Sequence, residues 1–336
     1  MNLVPTDAQQ EALAQMLRQA CWSDAEIHTR LQQAVSPTYW AALNPQLAVN
    51  RDWAGASLEC ASLDDARRNE LLNKLEGEGY FQLDSLFSPS AIARMREGVE
   101  TLRRAGWPPV MAYVYDEFWL FTRGPAIGRL LSTVLGPGYK QNCNLFNYYL
   151  EPGTGVGEAP HRDYHGAPQR FSVWLALSDA TLDNGCIYVI PRRQIPPDLA
   201  ESFDQVETYS RRDLKTMLQN CRAVPVPAGT VLCWGSELIH WGTRSSRKAE
   251  PRITATHSFI SARVSPTEFE RPSLDAHRLP NLAERLRAIS RAIQDHVESK
   301  PGLVKYLDFA QRLPDALADS AANGHDTESA DESIVE

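Results

Sequence analysis

The middle of the chain is a series of short apolar runs, and YFQLDSLF among them alternates with a period of two. FSVWLALSDA (171–180), GCIYVIP (185–191), GTVLCWG (229–235) and RITATHSFISARV (252–264) are rich in β-branched and aromatic residues and separated by turn residues, which predicts strands. YFQLDSLF (80–87) and NCNLFNYYL (142–150), the latter closed by EPGTG, read the same way. On either side the apolar spacing lengthens to three and four. DAQQEALAQMLRQA (7–20), SDAEIHTRLQQA capped by Ser23, SPTYWAAL with Pro37 at its first turn, Leu63–Leu75, SPSAIARMREGVETLRRAG (88–106) and HRLPNLAERLRAISRAIQDH (277–296) all predict helices. Helices, a β-rich middle, then helices, with no internal repeat and no βαβ rhythm, predict an antiparallel barrel or double-sheet jelly roll buttressed by helices. The expected divisions are an N-terminal helical extension (1–68), a β core (69–265) carrying an insertion over one mouth of the sheet (192–222), C-terminal helices (266–313) and a tail (314–336).

Charge changes this picture little. The net charge is −8, but seven acids and no Lys or Arg lie from Asp315 onward, so the body is close to neutral. A neutral body offers no field for nucleic acid or an anionic membrane, and the small, polar, acidic tail is expected to be disordered. No apolar run reaches the ~18 residues that span a bilayer, and the N-terminus lacks the basic and apolar regions of a secretory signal. Six cysteines with no CxxC pair fit reduced thiols in a cytoplasmic protein. The expected partner is a small molecule, and the sequence says nothing of oligomeric state.

The chemistry concentrates in PHRDYHG, Pro160 to Gly166. Only five residues separate the proline from the glycine, too few for a stable helix, and the Glu that a zinc-peptidase helix needs beside its first His is replaced by Arg162. On a strand, His161 and Asp163 share a face. A third ligand is then needed, and His240, at the end of GTVLCWGSELIH, stands twelve residues before Arg252 at the start of the next strand. Two imidazoles and one carboxylate on one face of a metal leave the other face open, the arrangement of non-haem Fe(II) oxygenases. An Arg one strand on presents a planar fork suited to a carboxylate, which points to a dicarboxylate cosubstrate. Arg252 opens a strand whose polar face runs Arg252, Thr254, Thr256 and Ser258, and is preferred to Arg244 in the solvated loop GTRSSRK.

These pieces together resemble the phytanoyl-CoA dioxygenase family of Fe(II)- and 2-oxoglutarate-dependent oxygenases, over roughly Leu71 to Val264. The resemblance is carried by EGYFQLDSLFSPSAIARMREGVETL, PHRD, SVWLALSDATLDNGCIYVIP and GTVLCWGSELIHWG…PRITATHSFIS. It implies a double-stranded β-helix core (jelly-roll, cupin-like), mainly β with flanking helices. It also implies Fe(2+), 2-oxoglutarate and O2 as cofactor and cosubstrates, and places Trp174 near 2-oxoglutarate. Where the family often has Gln between the two HxD ligands, this chain has Arg162.

The expected function is hydroxylation of an unactivated C–H bond in a small metabolite or natural-product intermediate, with release of succinate and CO2. The alternatives are an acyl-CoA hydroxylase, a non-catalytic sensing protein on the same fold, and a zinc hydrolase, for which no general base is obvious beside the metal. Further candidates are Asn144 at the metal end of the cosubstrate, and His165 for substrate contact. In the aromatic run MAYVYDEFWLF (111–121), Tyr113, Tyr115 and Trp119 are spaced to share one strand face and line a substrate cavity. His257, of opposite parity to Arg252, is expected to be structural.

Overall fold

The computed structural model describes residues 21–51, 57–142, 145–164, 169–197, 199, 203, 210–265, 273–297 and 300–328, and the side chains of 146–148, 301 and 321–328 lie outside that description. The expected helix at 7–20, Asn144, His165 and much of the insertion also fall outside it.

The β-rich middle folds into two antiparallel sheets. The larger is ordered β1 (Tyr80–Leu83), β7 (Val231–Gly235), β4 (Arg170–Ala176), β9 (Arg252–Ile260), β2 (Lys140–Gln141) and β10 (Leu274–Asp275), with β3 (Phe146–Leu150) also paired to β9. The smaller is β6 (Arg222–Val224), β5 (Ile187–Ile190) and β8 (Ile239–Gly242). Strand parity explains how they stack. Phe171, Val173 and Leu175 of β4 join the helix-side core, whereas Trp174 and Ala176 pack in a second core with Leu232 and Trp234 of β7 and with Ile187, Val189 and Val224 of the smaller sheet. The sheets therefore face one another across that second core, as the jelly-roll reading requires. Every residue of β4 is buried, Arg170 and Ser172 included.

The helices are α1 (Asp24–Ala34), α2 (Pro37–Leu43), α3 (Asp65–Glu78), α4 (Pro89–Arg104), α5 (Glu117–Arg123), α6 (Pro125–Leu135), α7 (Arg211–Asn220), α8 (Leu282–His296) and α9 (Leu307–Glu328). Ser23 and Asn281 close capping boxes with Glu26 and Glu284, and Ser88 caps α4 through the amide of Ala91. By residue count the helices outweigh the strands, so β character belongs to the core that holds the site. Leu199, Phe203 and Met217 of the insertion pack on Ile190 of β5 and Ile239 of β8. Cys60, Cys186, Cys221 and Cys233 are free thiols.

Two expectations are corrected. The run at 111–121 is a 3-10 helix (Pro109–Val114) followed by α5, so Tyr113, Tyr115 and Trp119 do not share a strand face. The stretch is wholly buried, Asp116 and Glu117 included, and a short run buried on every side carries no period to separate strand from helix. The tail begins later than 314. Helix α9 continues to Glu328, with Leu313 and Leu317 buried in the helix-side core, a spacing that acidic composition conceals. No helix among the described residues is long and apolar enough to cross a membrane.

Candidate metal centre

His161 and His240 are brought together by the backbone. They form an antiparallel bridge in which each amide donates to the other's carbonyl at 3.0 Å. Directly opposed residues put their side chains side by side, and the two imidazole centroids lie 4.3 Å apart. The approach depends on glycine just upstream: a Cβ on Gly157 would stand 2.4 Å from the backbone carbon of Gly242.

The outer ring nitrogens fix which atoms face inward. Nδ1 of His161 lies 2.8 Å from the carbonyl oxygen of Ala159, and Nδ1 of His240 lies 3.0 Å from that of Leu238. A carbonyl only accepts, so each Nδ1 carries the proton and each Nε2 presents a lone pair. Both Nε2 atoms point at Oδ1 of Asp163, at 3.6 and 3.5 Å. The other oxygen, Oδ2, accepts from Ser172 Oγ at 2.6 Å and from Trp234 Nε1 at 2.8 Å. Ser172 and Trp234 are register partners on β4 and β7, so the ladder aims both donors at one atom. One ligand atom from each of His161, Asp163 and His240 can be chosen with all three within 4.8 Å of one another. The donor set, two lone pairs and one carboxylate oxygen with every outer atom already engaged, fits a divalent metal.

Electrostatics agree. Burial works to raise the Asp163 carboxyl, but the two histidines and the Ser172 hydroxyl outweigh it and hold the group well below the usual carboxylate range. Burial lowers His240, partly offset by Asp163. Burial also works to lower His161, but Asp163 and Glu158 outweigh it and raise the group.

The triad lines a cavity of about 430 Å³ that also includes Glu158, Tyr164, Ser172, Trp174, Trp234, Trp241, Arg252, Thr256, Ser258 and His296. Arg252 is 2% exposed, and its Nη1 donates to the carbonyl oxygen of Gly185. That carbonyl sits on a turn only glycine tolerates, since Gly185 has φ +83° and a Cβ there would stand 2.4 Å from the Thr243 oxygen. Thr254, two residues along the same strand face, is fully buried, and its hydroxyl has no hydrogen-bond partner among the described residues. A guanidinium beside an unmatched buried hydroxyl fits an incoming carboxylate. Trp174 lines the cavity, and Arg244 is exposed on the surface.

Tyr113, Tyr115 and Trp119 stand away from this cavity. Tyr113 donates its hydroxyl to the Thr256 carbonyl at 2.8 Å and accepts the Thr256 amide at 2.9 Å. Tyr115 donates to the carbonyl of Trp40 at 3.1 Å, and Trp119 Nε1 to that of Tyr113 at 2.6 Å. They brace β9 and the helical core. His257 lies among them, with ring centroids 5.2 Å from Tyr113 and 4.8 Å from Phe121 and its Nδ1 3.0 Å from the Thr122 hydroxyl. Ser172, Trp234, Glu158, Trp241 and His296 are the site residues that the sequence reading missed. A larger hollow of about 640 Å³, lined by Arg162, Arg170, Arg192, Glu76, Glu237 and apolar side chains, holds none of the triad.

Residues 125–252 match the family model described as phytanoyl-CoA dioxygenase (PhyH), a span that contains His161, Asp163 and His240 and ends at Arg252. Phytanoyl-CoA dioxygenase 1 of Oryza sativa subsp. japonica is 31% identical over 138 residues, covering 37% of this chain and 46% of the relative. Phytanoyl-CoA dioxygenase of Arabidopsis thaliana is 29% identical over 135 residues, covering 36% and 44%. The chain thus spans about half the length of the curated relatives it matches. Among solved structures, the non-heme monooxygenase ThoJ in a nickel complex overlaps 69% of this chain and 99% of its own at 17% identity and TM-score 0.49. EctD from S. alaskensis with 2-oxoglutarate and 5-hydroxyectoine overlaps 70% and 95% at 15% identity and TM-score 0.48. Over residues 125–252, the segment that carries its metal centre, the chain is similar to the phytanoyl-CoA dioxygenase family.

Proposed function

We propose that the protein is an Fe(II)- and 2-oxoglutarate-dependent oxygenase that hydroxylates an unactivated C–H bond of a small metabolite or natural-product intermediate. The observation that carries this reading is the convergence of two Nε2 lone pairs on Oδ1 of Asp163 while all three outer atoms are held by the protein. When bound, the metal and 2-oxoglutarate supply an O2-dependent oxidation, and the cosubstrate leaves as succinate and CO2. His161, Asp163 and His240 hold the metal. Arg252 receives the far carboxylate of 2-oxoglutarate as a planar fork, with the Thr254 hydroxyl as a further donor. Trp174, Trp234 and Trp241 wall the cavity with apolar surface, which excludes water from a site that generates a reactive oxidant.

A metal-dependent hydrolase is the second reading, because Glu158 Oε2 lies 3.4 Å from His161 Nε2 and supplies a carboxylate that a general base would need. A hydrolase has no use for the buried Arg252 and Thr254, which favours the first. The test is succinate release. Protein given Fe(II), 2-oxoglutarate, O2 and its substrate is expected to release one succinate per product, with one atom of ¹⁸O₂ in that product. Product formation without 2-oxoglutarate would establish the hydrolase instead.

A further inference from the structure

We propose that a cleft on the outer, helical side of the larger sheet binds a phosphoryl dianion, free or as an ester of a small molecule, between Arg123, Arg129 and the hydroxyl of Tyr139. The inference goes beyond the oxygenase reading above and does not rest on it.

The cleft has a volume of about 530 Å³, within the range of small-molecule sites. Separate stretches of chain meet there: Arg68 of α3, the junction of α5 and α6 with Arg123 and Arg129, and Tyr139 with His277 at the β2–β10 edge. Among the described residues its lining holds three arginines and no carboxylate. Arg68 is bridged by exposed Asp65 at 2.8 Å. Arg123 is held by backbone carbonyls instead: Nε donates to Arg278 at 2.7 Å, Nη1 to Trp119 at 3.2 Å and Nη2 to Asp275 at 3.3 Å. One N–H on each terminal nitrogen is left over. Burial and the guanidinium of Arg285 push Arg123 down to about 9, against smaller opposing pulls from Tyr139 and Asp275. It is therefore still charged near neutrality, a partly desolvated cation with no carboxylate bound to it. The Arg129 side chain is exposed and makes no hydrogen bond or ion pair.

Two further features point to an anion. Helix α6 opens on Gly124, which has no side chain to cap it, and Gly124 and Pro125 both line the cleft, so the positive end of the helix dipole faces it. Tyr139 is 3% exposed, yet its hydroxyl makes no hydrogen bond among the described residues. That oxygen reaches the floor of the cleft beside Gly128, where a Cβ would stand 3.8 Å from it. A donor this deep with no acceptor calls for one from outside. Charge favours a phosphoryl group over a carboxylate. Arg123 and Arg129 are two cations without a carboxylate partner, and a phosphate monoester carries close to two negative charges at pH 7. Its terminal oxygens also take donors from several directions, as the separate chain segments supply them, whereas a carboxylate is planar. The cleft shares no lining residue with the metal cavity. Tyr139 packs edge-on against Phe259 at 5.7 Å, on the face of β9 opposite to Arg252 and Thr256.

Calorimetric titration of the full chain with phenyl phosphate, inorganic phosphate and benzoate tests this. Phenyl phosphate is expected to bind about tenfold or more tighter than benzoate, and to weaken as salt is raised because the cleft is open to solvent. Inorganic phosphate identifies the source: binding as tight as phenyl phosphate points to the free ion, and looser binding to an ester. Arg129→Gln, a change at an exposed side chain, should weaken phenyl phosphate by about tenfold. Tyr139→Phe should weaken it by about fivefold, the loss of one hydrogen bond to a charged group. Arg252→Ala should leave it within about twofold. Benzoate bound as tightly as phenyl phosphate, no binding of either phosphate, or binding that survives Arg129→Gln would each overturn the proposal. So would binding lost in Arg252→Ala, which would place the anion in the metal cavity.

Discussion

Trp234 donates its indole N–H to Oδ2 of Asp163 at 2.8 Å, from the strand position directly across from Ser172, which donates to the same atom. Two donors on one oxygen leave Oδ1 as the carboxylate's only outward atom. Trp234→Phe keeps the ring in the inter-sheet core and removes the N–H alone. Metal affinity is expected to fall about 10- to 100-fold, the usual cost of losing an outer-shell partner, with little change in thermal midpoint. A Co(II) titration of the purified variant measures it, and wild-type affinity would show that Ser172 suffices to orient the carboxylate.

Arg252 and Arg244 are separated by burial. The first is 2% exposed and lines the cavity, and the second lies on the surface. Removing one partner of a buried charge pair costs about 2–5 kcal/mol, so Arg252→Ala should raise the 2-oxoglutarate dissociation constant by roughly thirty-fold or more. Arg244→Ala should leave it within about twofold. Calorimetric titration of 2-oxoglutarate into the metal-loaded variants checks both, and the reverse pattern would move the carboxylate fork to Arg244.

Features readable in the sequence were those fixed by local spacing. His161 and Asp163 sit two residues apart, and Arg252 opens a strand whose polar parity is visible in the letters. Their outer partners depend on register. Nothing in LCWG or FSVW says that Trp234 lies across from Ser172, and the pairing exists only once β7 and β4 are hydrogen-bonded. Glu158 is harder still, because its partner Lys300 lies far along the chain after α8. The predicted strand ends at Gly235 and none is predicted around His240, although Ile239–Gly242 forms a strand of the other sheet. The sequence misplaces Tyr113 because a run with no period gives no face, and the two hydrogen bonds its hydroxyl makes with the Thr256 backbone, one donated and one accepted, are long-range.

The end of α9 gives a stability test. Leu317 is 7% exposed within the helix-side core, and fully burying a leucine contributes about 1.5–3 kcal/mol. Deletion of 315–336 removes it and should lower unfolding free energy by about 2 kcal/mol, whereas deletion of 329–336 should leave stability unchanged. Urea denaturation of the two truncations distinguishes them, and equal stability would show that α9 contributes nothing past Leu313.

His296 gives the molecule a pH dependence whose sign can be worked out. Burial and the nearby Lys300 lower it from 6.5 to about 4, against a smaller opposing pull from Glu158. Above pH 6.5 the imidazole is neutral in both folded and unfolded chains, and its contribution to stability is fully present. As the pH falls from 6.5 towards 4, the unfolded chain takes up a proton that the folded protein refuses, so stability declines by up to about 1.4 kcal/mol per pH unit. His296→Gln removes that proton. In urea denaturation of metal-free protein, the wild type is expected to lose more stability than the variant between about pH 7.5 and pH 5, by about 1–2 kcal/mol. Parallel losses in the two proteins would mean that His296 takes up its proton equally in both states, and that the end of α8 is open to water rather than closed over the cavity.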